Sequence, residues 1–135
     1  MNSSLINWFL LSLLLFSISS VSGFLVKPIT TVVIHNDIGA GSFLTFHCKS
    51  KNDDLGVHVL TYGYTYTIKF RPLFMTGTLY FCGFEWDGTV HRFDIYDEDR
   101  DDPICTHCEW KIKPTGPCMQ NPRNSKFDIC YGWKP

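Results

Sequence analysis

The chain has 135 residues, 12 Lys and Arg against 13 Asp and Glu, and a formal net charge of −1. It lacks the basic excess that marks a nucleic-acid partner, and its length leaves room for one domain. Six cysteines in a short chain favour a disulfide framework over free thiols.

Residues 1–23, MNSSLINWFLLSLLLFSISSVSG, carry no charged side chain. The apolar stretch from Trp8 to Phe16 is much shorter than the ~20 residues of a membrane span. Its later part is serine-rich, and Val21 and Gly23 are small enough to precede a signal-peptidase cut before Phe24. Residues 1–23 therefore read as a removed secretion signal, and 24–135 as a soluble, exported domain with no membrane span. The terminal CYGWKP carries neither a prenylation box nor a retention signal. The sequon Asn2-Ser3-Ser4 lies in the leader, so no N-glycan is expected on the mature chain.

Beyond the leader no helical period recurs, but alternation with a period of two does. The first predicted strand is TVVIHN at 31–36. In FLTFHCK at 43–49, Leu44, Phe46 and Cys48 share one face, while Thr45, His47 and Lys49 share the other. VHVLTY at 57–62 follows. In YTYTIKFR at 64–71, Tyr64, Tyr66, Ile68 and Phe70 oppose Thr65, Thr67, Lys69 and Arg71 before Pro72 stops the strand. TLYFCGFEW at 78–86 and VHRFDIY at 90–96 flank Asp87-Gly88, a hairpin signal. In CEWKIKP at 108–114, Cys108, Trp110 and Ile112 oppose Glu109, Lys111 and Lys113, and FDICYGW at 127–133 is the last candidate. About eight short strands separated by Gly, Pro, Asn and Asp clusters predict an all-β fold, a small disulfide-stabilised β-sandwich. Aromatics at 16% give it bulky core side chains.

The six cysteines are expected in disulfides, and they allow fifteen pairings. The arrangement favoured here joins Cys48 to Cys130, Cys82 to Cys108 and Cys105 to Cys118, with Cys48 and Cys108 on inward faces where a bridge ties sheet to sheet. Cys105-Thr106-His107-Cys108 has redox-dithiol spacing, but a strand pattern follows it where such a motif needs a helix. Zinc would need a second pair at similar spacing, and Cys118 and Cys130 are too far apart.

Two acidic stretches invite a calcium reading, and neither has EF-hand spacing; an irregular, weak calcium site at the second is the alternative to a solvated loop. In HCKSKNDDLG, His47 to Gly56, the carboxylates are adjacent rather than alternating, and the twelfth loop position would be Gly63. A tight turn closed by Gly56 at positive φ explains it. In Asp97-Glu98-Asp99-Arg100-Asp101-Asp102 the sixth position is Asp102 and the twelfth Cys108, which excludes an EF-hand. No metal or other cofactor is expected. Gly-x-Ser-x-Gly is absent, and His35, His47, His58, His91 and His107 form no recognisable acid and base pair. No catalytic residue is assigned, and the chain is not expected to be an enzyme.

HCKSKNDDLG, followed in order by GTLYFCGFEW, FDIYDEDRDD, CTHCEW and CYGW, resembles the plant self-incompatibility proteins, the S-protein homologues, from about Val32 to Trp133. The resemblance implies a small secreted β-sandwich. It also implies Cys48, Cys82, Cys108 and Cys130 as recurring cysteines, with Cys105 and Cys118 as a further pair. The founding member, in poppy, is a stigma ligand read by a pollen receptor. This chain departs from the family at Ile68, where members often carry an aromatic, and at RPLFMTGT before the Thr-Leu strand, which bears on loop shape and partner choice.

The function expected is that of an extracellular signalling ligand for a cell-surface receptor, in cell-cell recognition of the pollen-pistil kind. Contacts are expected from Lys51, Asp53 and Asp54 in one loop and Glu98, Asp99, Arg100 and Asp101 in another, since sandwich loops vary on a rigid scaffold. The rival reading is a secreted defence or toxin-like protein acting on membranes, or a weak hydrolase; membrane action would need a basic or amphipathic surface.

Overall fold

The computed structural model describes residues 7–12, 26–73 and 77–135. Residues 7–12 are helical, and the expected cut after Gly23 lies outside the described residues. Among the described residues no helix is long and apolar enough to cross a membrane.

The strands are β1 (Thr30–Asn36), β2 (Phe43–Lys49), β3 (Asp54–Thr61), β4 (Thr65–Phe70), β5 (Leu79–Trp86), β6 (Thr89–Asp97), β7 (His107–Lys113), β8 (Gly116–Met119) and β9 (Ile129–Cys130). They form a five-stranded sheet of order β4-β1-β7-β8-β9 and a four-stranded sheet of order β3-β2-β5-β6. β1 and β7 run parallel, and the other pairs are antiparallel. The fold is the all-β sandwich that the alternation predicts.

Alternation places the core. Leu44, Phe46 and Cys48 from one sheet meet Val32, Ile34, Trp110 and Ile112 from the other, all at 1% exposure or less. Each such large side chain contributes about 1.5–3 kcal/mol when fully buried. Asp87 (φ 52) and Gly88 (φ 76) both take positive φ, as the expected two-residue hairpin requires. Tyr64, expected on the inward face, is instead 67% exposed. It sits in the turn before β4, where the strand's alternation has not begun.

Two elements differ from expectation at the C-terminal end. β8 went unpredicted because Gly116-Pro117-Cys118-Met119 is buried at all four positions and shows no alternation, and Pro117 argues against a strand. FDICYGW supplies only the two residues of β9. Beyond Cys130 the chain crosses to the other sheet. The Tyr131 N–H donates to Pro117 O at 3.0 Å, and the Lys134 N–H donates to Arg92 O on β6 at 2.9 Å. Trp133 on this tail lies against Trp86 and His91. Gly116 makes room for it, since a Cβ there would sit 2.0 Å from Tyr131 O.

All six cysteines are bridged, but the expected connectivity is wrong. The bridges are Cys48–Cys82, Cys105–Cys108 and Cys118–Cys130, so none of Cys48–Cys130, Cys82–Cys108 and Cys105–Cys118 forms. The reason is register. Cys48 faces Cys82 directly across β2 and β5, and Cys118 faces Cys130 across β8 and β9, with Cα atoms 4.1 and 4.0 Å apart. Opposed residues in one sheet are already within bridging reach, whereas face-to-face sheets stand about 10 Å apart.

Candidate functional site

β2 ends at Lys49 opposite Phe81, and β6 ends at Asp97 opposite Leu79. The β2–β3 turn, the start of β5 and the one-turn helix Glu98–Asp101 therefore share one end of the four-stranded sheet. Both loops expected to make contacts lie there.

The β2–β3 turn is fixed by its own polar groups. The Ser50 N–H donates to Asp53 O at 2.8 Å, and the Asp53 N–H donates back to Ser50 Oγ at 3.1 Å. Asp54 accepts the Gly56 N–H at 2.9 Å and lies 2.5 Å from His47 Nε2. The Gly56 N–H and then His47 hold the Asp54 carboxyl below the usual carboxylate range. Asp54 is thus committed within the loop, whereas Lys51, Asn52 and Asp53 are exposed on its tip.

Behind the tip lies a groove of about 560 Å³. Its floor includes Phe70 and Tyr80, whose rings are 4.5 Å apart, and its sides include Leu79 and Phe81. Lys51, Asp53 and Arg71 stand at its rim. Burial raises the Tyr80 pKa despite a hydrogen bond with Ser50, and the Asp53 charge raises it further, so the phenol stays protonated. An apolar floor under a few placed charges suits a side chain or a short loop of a partner.

The second loop is used differently from what its charge suggests. Arg100 Nε and Nη2 donate to Asp101 Oδ1 and Oδ2 at 2.6 and 2.7 Å, and Nη2 also donates to Asp94 O at 2.8 Å. The guanidinium lies 4.8 Å from the Phe93 ring centre and 5.1 Å from those of Trp110 and Tyr131. Asp101 is fully buried and accepts the Asp97 N–H at 2.9 Å. Glu98 lies 2.5 Å from Lys27 Nζ and accepts the Thr78 N–H at 2.9 Å, while its own N–H donates to Thr78 O at 3.0 Å. Of the four expected contact residues here, only Asp99 stands exposed.

Burial works against the Glu98 carboxylate, but Lys27 and the Thr78 and Gly77 N–H groups outweigh it and hold its pKa below the ordinary value. A depressed carboxyl stabilises the fold above its unfolded pKa, and that stability is lost as pH falls through the folded one. Glu98→Gln is expected to cost about 1–2 kcal/mol at neutral pH. In urea titrations the gap to wild type should close below about pH 4. It should narrow again where Lys27, whose pKa is raised above 10.5 by Glu98, loses its proton. A gap constant from pH 3 to pH 8 would refute the charge-based account.

Three of the five histidines occupy separate settings, and the other two share one carboxylate. His47 pairs with Asp54, His58 lies 4.4 Å from the Tyr66 ring, and His91 stacks on Trp86 at 4.0 Å. His35 and His107 flank Glu109, at 2.9 and 3.5 Å. Among the described residues no group of His, Cys, Asp and Glu is arranged to hold a metal ion. Sequence reasoning missed the groove floor, because Phe70 and Tyr80 come from different sheets and only packing brings them together.

The plant self-incompatibility protein S1 family profile matches residues 31–133. S-protein homolog 5 of Arabidopsis thaliana is 48% identical over 104 residues, covering 77% of this chain and 78% of its own. S-protein homolog 29 of the same plant is 41% identical over 132 residues, which is 98% of both chains. A solved structure of an SPH (Self-Incompatibility Protein Homologue) protein, described as one of a widespread family of small, highly stable, secreted proteins from plants, covers 81% of this chain and 97% of its own. It superposes with a TM-score of 0.60 at 22% identity, which supports the fold.

Proposed function

Because the chain belongs to the plant self-incompatibility protein S1 family, we propose that it is exported after loss of residues 1–23 and acts outside the cell as a protein ligand for a cell-surface receptor. The observation that carries the reading is the β2–β3 turn: a stiff loop that holds Lys51 and Asp53 exposed at the rim of an apolar groove. A rigid loop loses little conformational freedom on binding, so its contacts translate more fully into affinity. Lys51, Asp53 and Asp99 are the residues proposed to meet the receptor. Asp54, Glu98, Arg100 and Asp101 position them.

Labelled protein recovered from culture medium should bind saturably to plant cells of one type and be displaced by unlabelled protein. Lys51→Glu combined with Asp53→Lys should weaken that binding by about tenfold or more, through reversal of both rim charges. Circular dichroism should be unchanged. Unaltered binding by the double variant would remove this end from the interface. If no cell type binds saturably while the protein leaks liposome contents at low concentration, the ligand reading gives way to membrane action.

A further inference from the structure

The four-stranded sheet has two edges, and they are treated differently. At β6 the C-terminal tail covers the edge, with the Lys134 N–H on Arg92 O and Lys134 Nζ 2.6 Å from Asp94. At β3 no strand follows in the sheet. β3 runs for eight residues, Asp54–Thr61, and from Leu55 to Thr61 it holds no Lys, Arg or Pro, the residues that usually blunt an exposed edge. Val57 and Val59 on its outer side are 65% and 63% exposed, and Phe43 on the adjoining strand is 64% exposed.

Hydrogen-bond parity shows what this edge offers. The Tyr62 N–H donates to Ser42 O, which makes Phe43 and Thr61 a non-hydrogen-bonded pair of the β2–β3 ladder. Thr45 with Val59 and His47 with Val57 are then non-hydrogen-bonded pairs too. The N–H and C=O groups of Val57 and Val59 point away from β2, and among the described residues no strand takes them up; the Thr61 C=O also points outward but accepts the Tyr64 N–H at 3.0 Å, so the open stretch of the edge centres on Val57 and Val59.

We infer that β3 is a self-association edge, and that its occupant is the β3 of a second copy, antiparallel about a two-fold axis near His58. An isologous contact requires a surface that matches itself. In this register Val57 of each copy opposes Val59 of the other, so the outward backbone groups pair and the four valines form one stripe. The stretch carries no formal charge from Leu55 to Thr61 apart from the titratable His58, so two copies meet without like-charge repulsion. The two four-stranded sheets become one. One strand pair is a small contact, which places the dimer in the weak, reversible class.

Sedimentation of the exported protein should show a monomer-dimer equilibrium with a Kd between about 1 μM and 1 mM. Amide exchange at Val57 and Val59 should slow as concentration rises. Val59→Pro removes an outward N–H without breaking a bond to β2, so it should yield a folded monomer. Val57→Lys, at an exposed position, should do the same by placing like charges across the stripe. A protein that stays monomeric at about 1 mM would overturn the inference. So would a dimer that neither substitution weakens.

Discussion

Arg100→Ala is expected to cost about 3–5 kcal/mol in denaturant unfolding of the oxidised protein, a loss typical of a buried charge stripped of its partner. Asp101 has no exposed surface, and without the guanidinium its carboxylate would keep, among the described residues, only the Asp97 N–H. The Phe93, Trp110 and Tyr131 rings would lose the cation at their centre. Arg100→Lys should recover a minor part, because an ammonium supplies charge but cannot reach both Asp101 oxygens and the Asp94 carbonyl as a fork does. Replacing Arg100 and Asp101 together by leucine should cost less than Arg100→Ala alone, since no unpaired charge remains. A loss below about 1 kcal/mol would place the pair with ordinary surface bridges and return Arg100 to the candidate contact residues.

That network also shows where sequence reading stops. Side-chain direction along a strand is local, so alternation sufficed to place Leu44, Phe46, Cys48, Trp110 and Ile112 in the core. The HCKSKNDDLG turn was legible for the same reason: Gly56 takes its positive φ (77°) and Asp54 accepts a backbone N–H two residues on. Glu98 to Asp101 read as an exposed contact loop because nothing in that stretch announces Phe93, Trp110 and Tyr131. These arrive from β6, β7 and the C-terminal tail, and only the finished sandwich gathers them round one guanidinium. The groove floor was hidden in the same way, and so was strand pairing, which fixes Cys48–Cys82 and Cys118–Cys130.

The bridges make the second large prediction. Cys48–Cys82 spans 34 positions, Cys118–Cys130 spans 12 and Cys105–Cys108 spans 3. If restriction of the unfolded chain dominates, paired alanine substitutions should cost about 3–4, 2–3 and 1.5–2 kcal/mol respectively. The Cys48–Cys82 bridge also lies in the core, at 1% and 4% exposure, so its loss removes packed sulfur as well. Connectivity can be read from the same variants. With this register, Cys48→Ala with Cys82→Ala leaves four cysteines in two intact bridges, and thiol labelling of the denatured protein should find none free. If Cys48 were joined to Cys130 and Cys82 to Cys108, the same variant would strand Cys130 and Cys108 and label twice, or re-pair them in a bridge that peptide mapping would detect. Because Cys48 and Cys82 are opposed at 4.1 Å between Cα atoms, no labelling is the expected result.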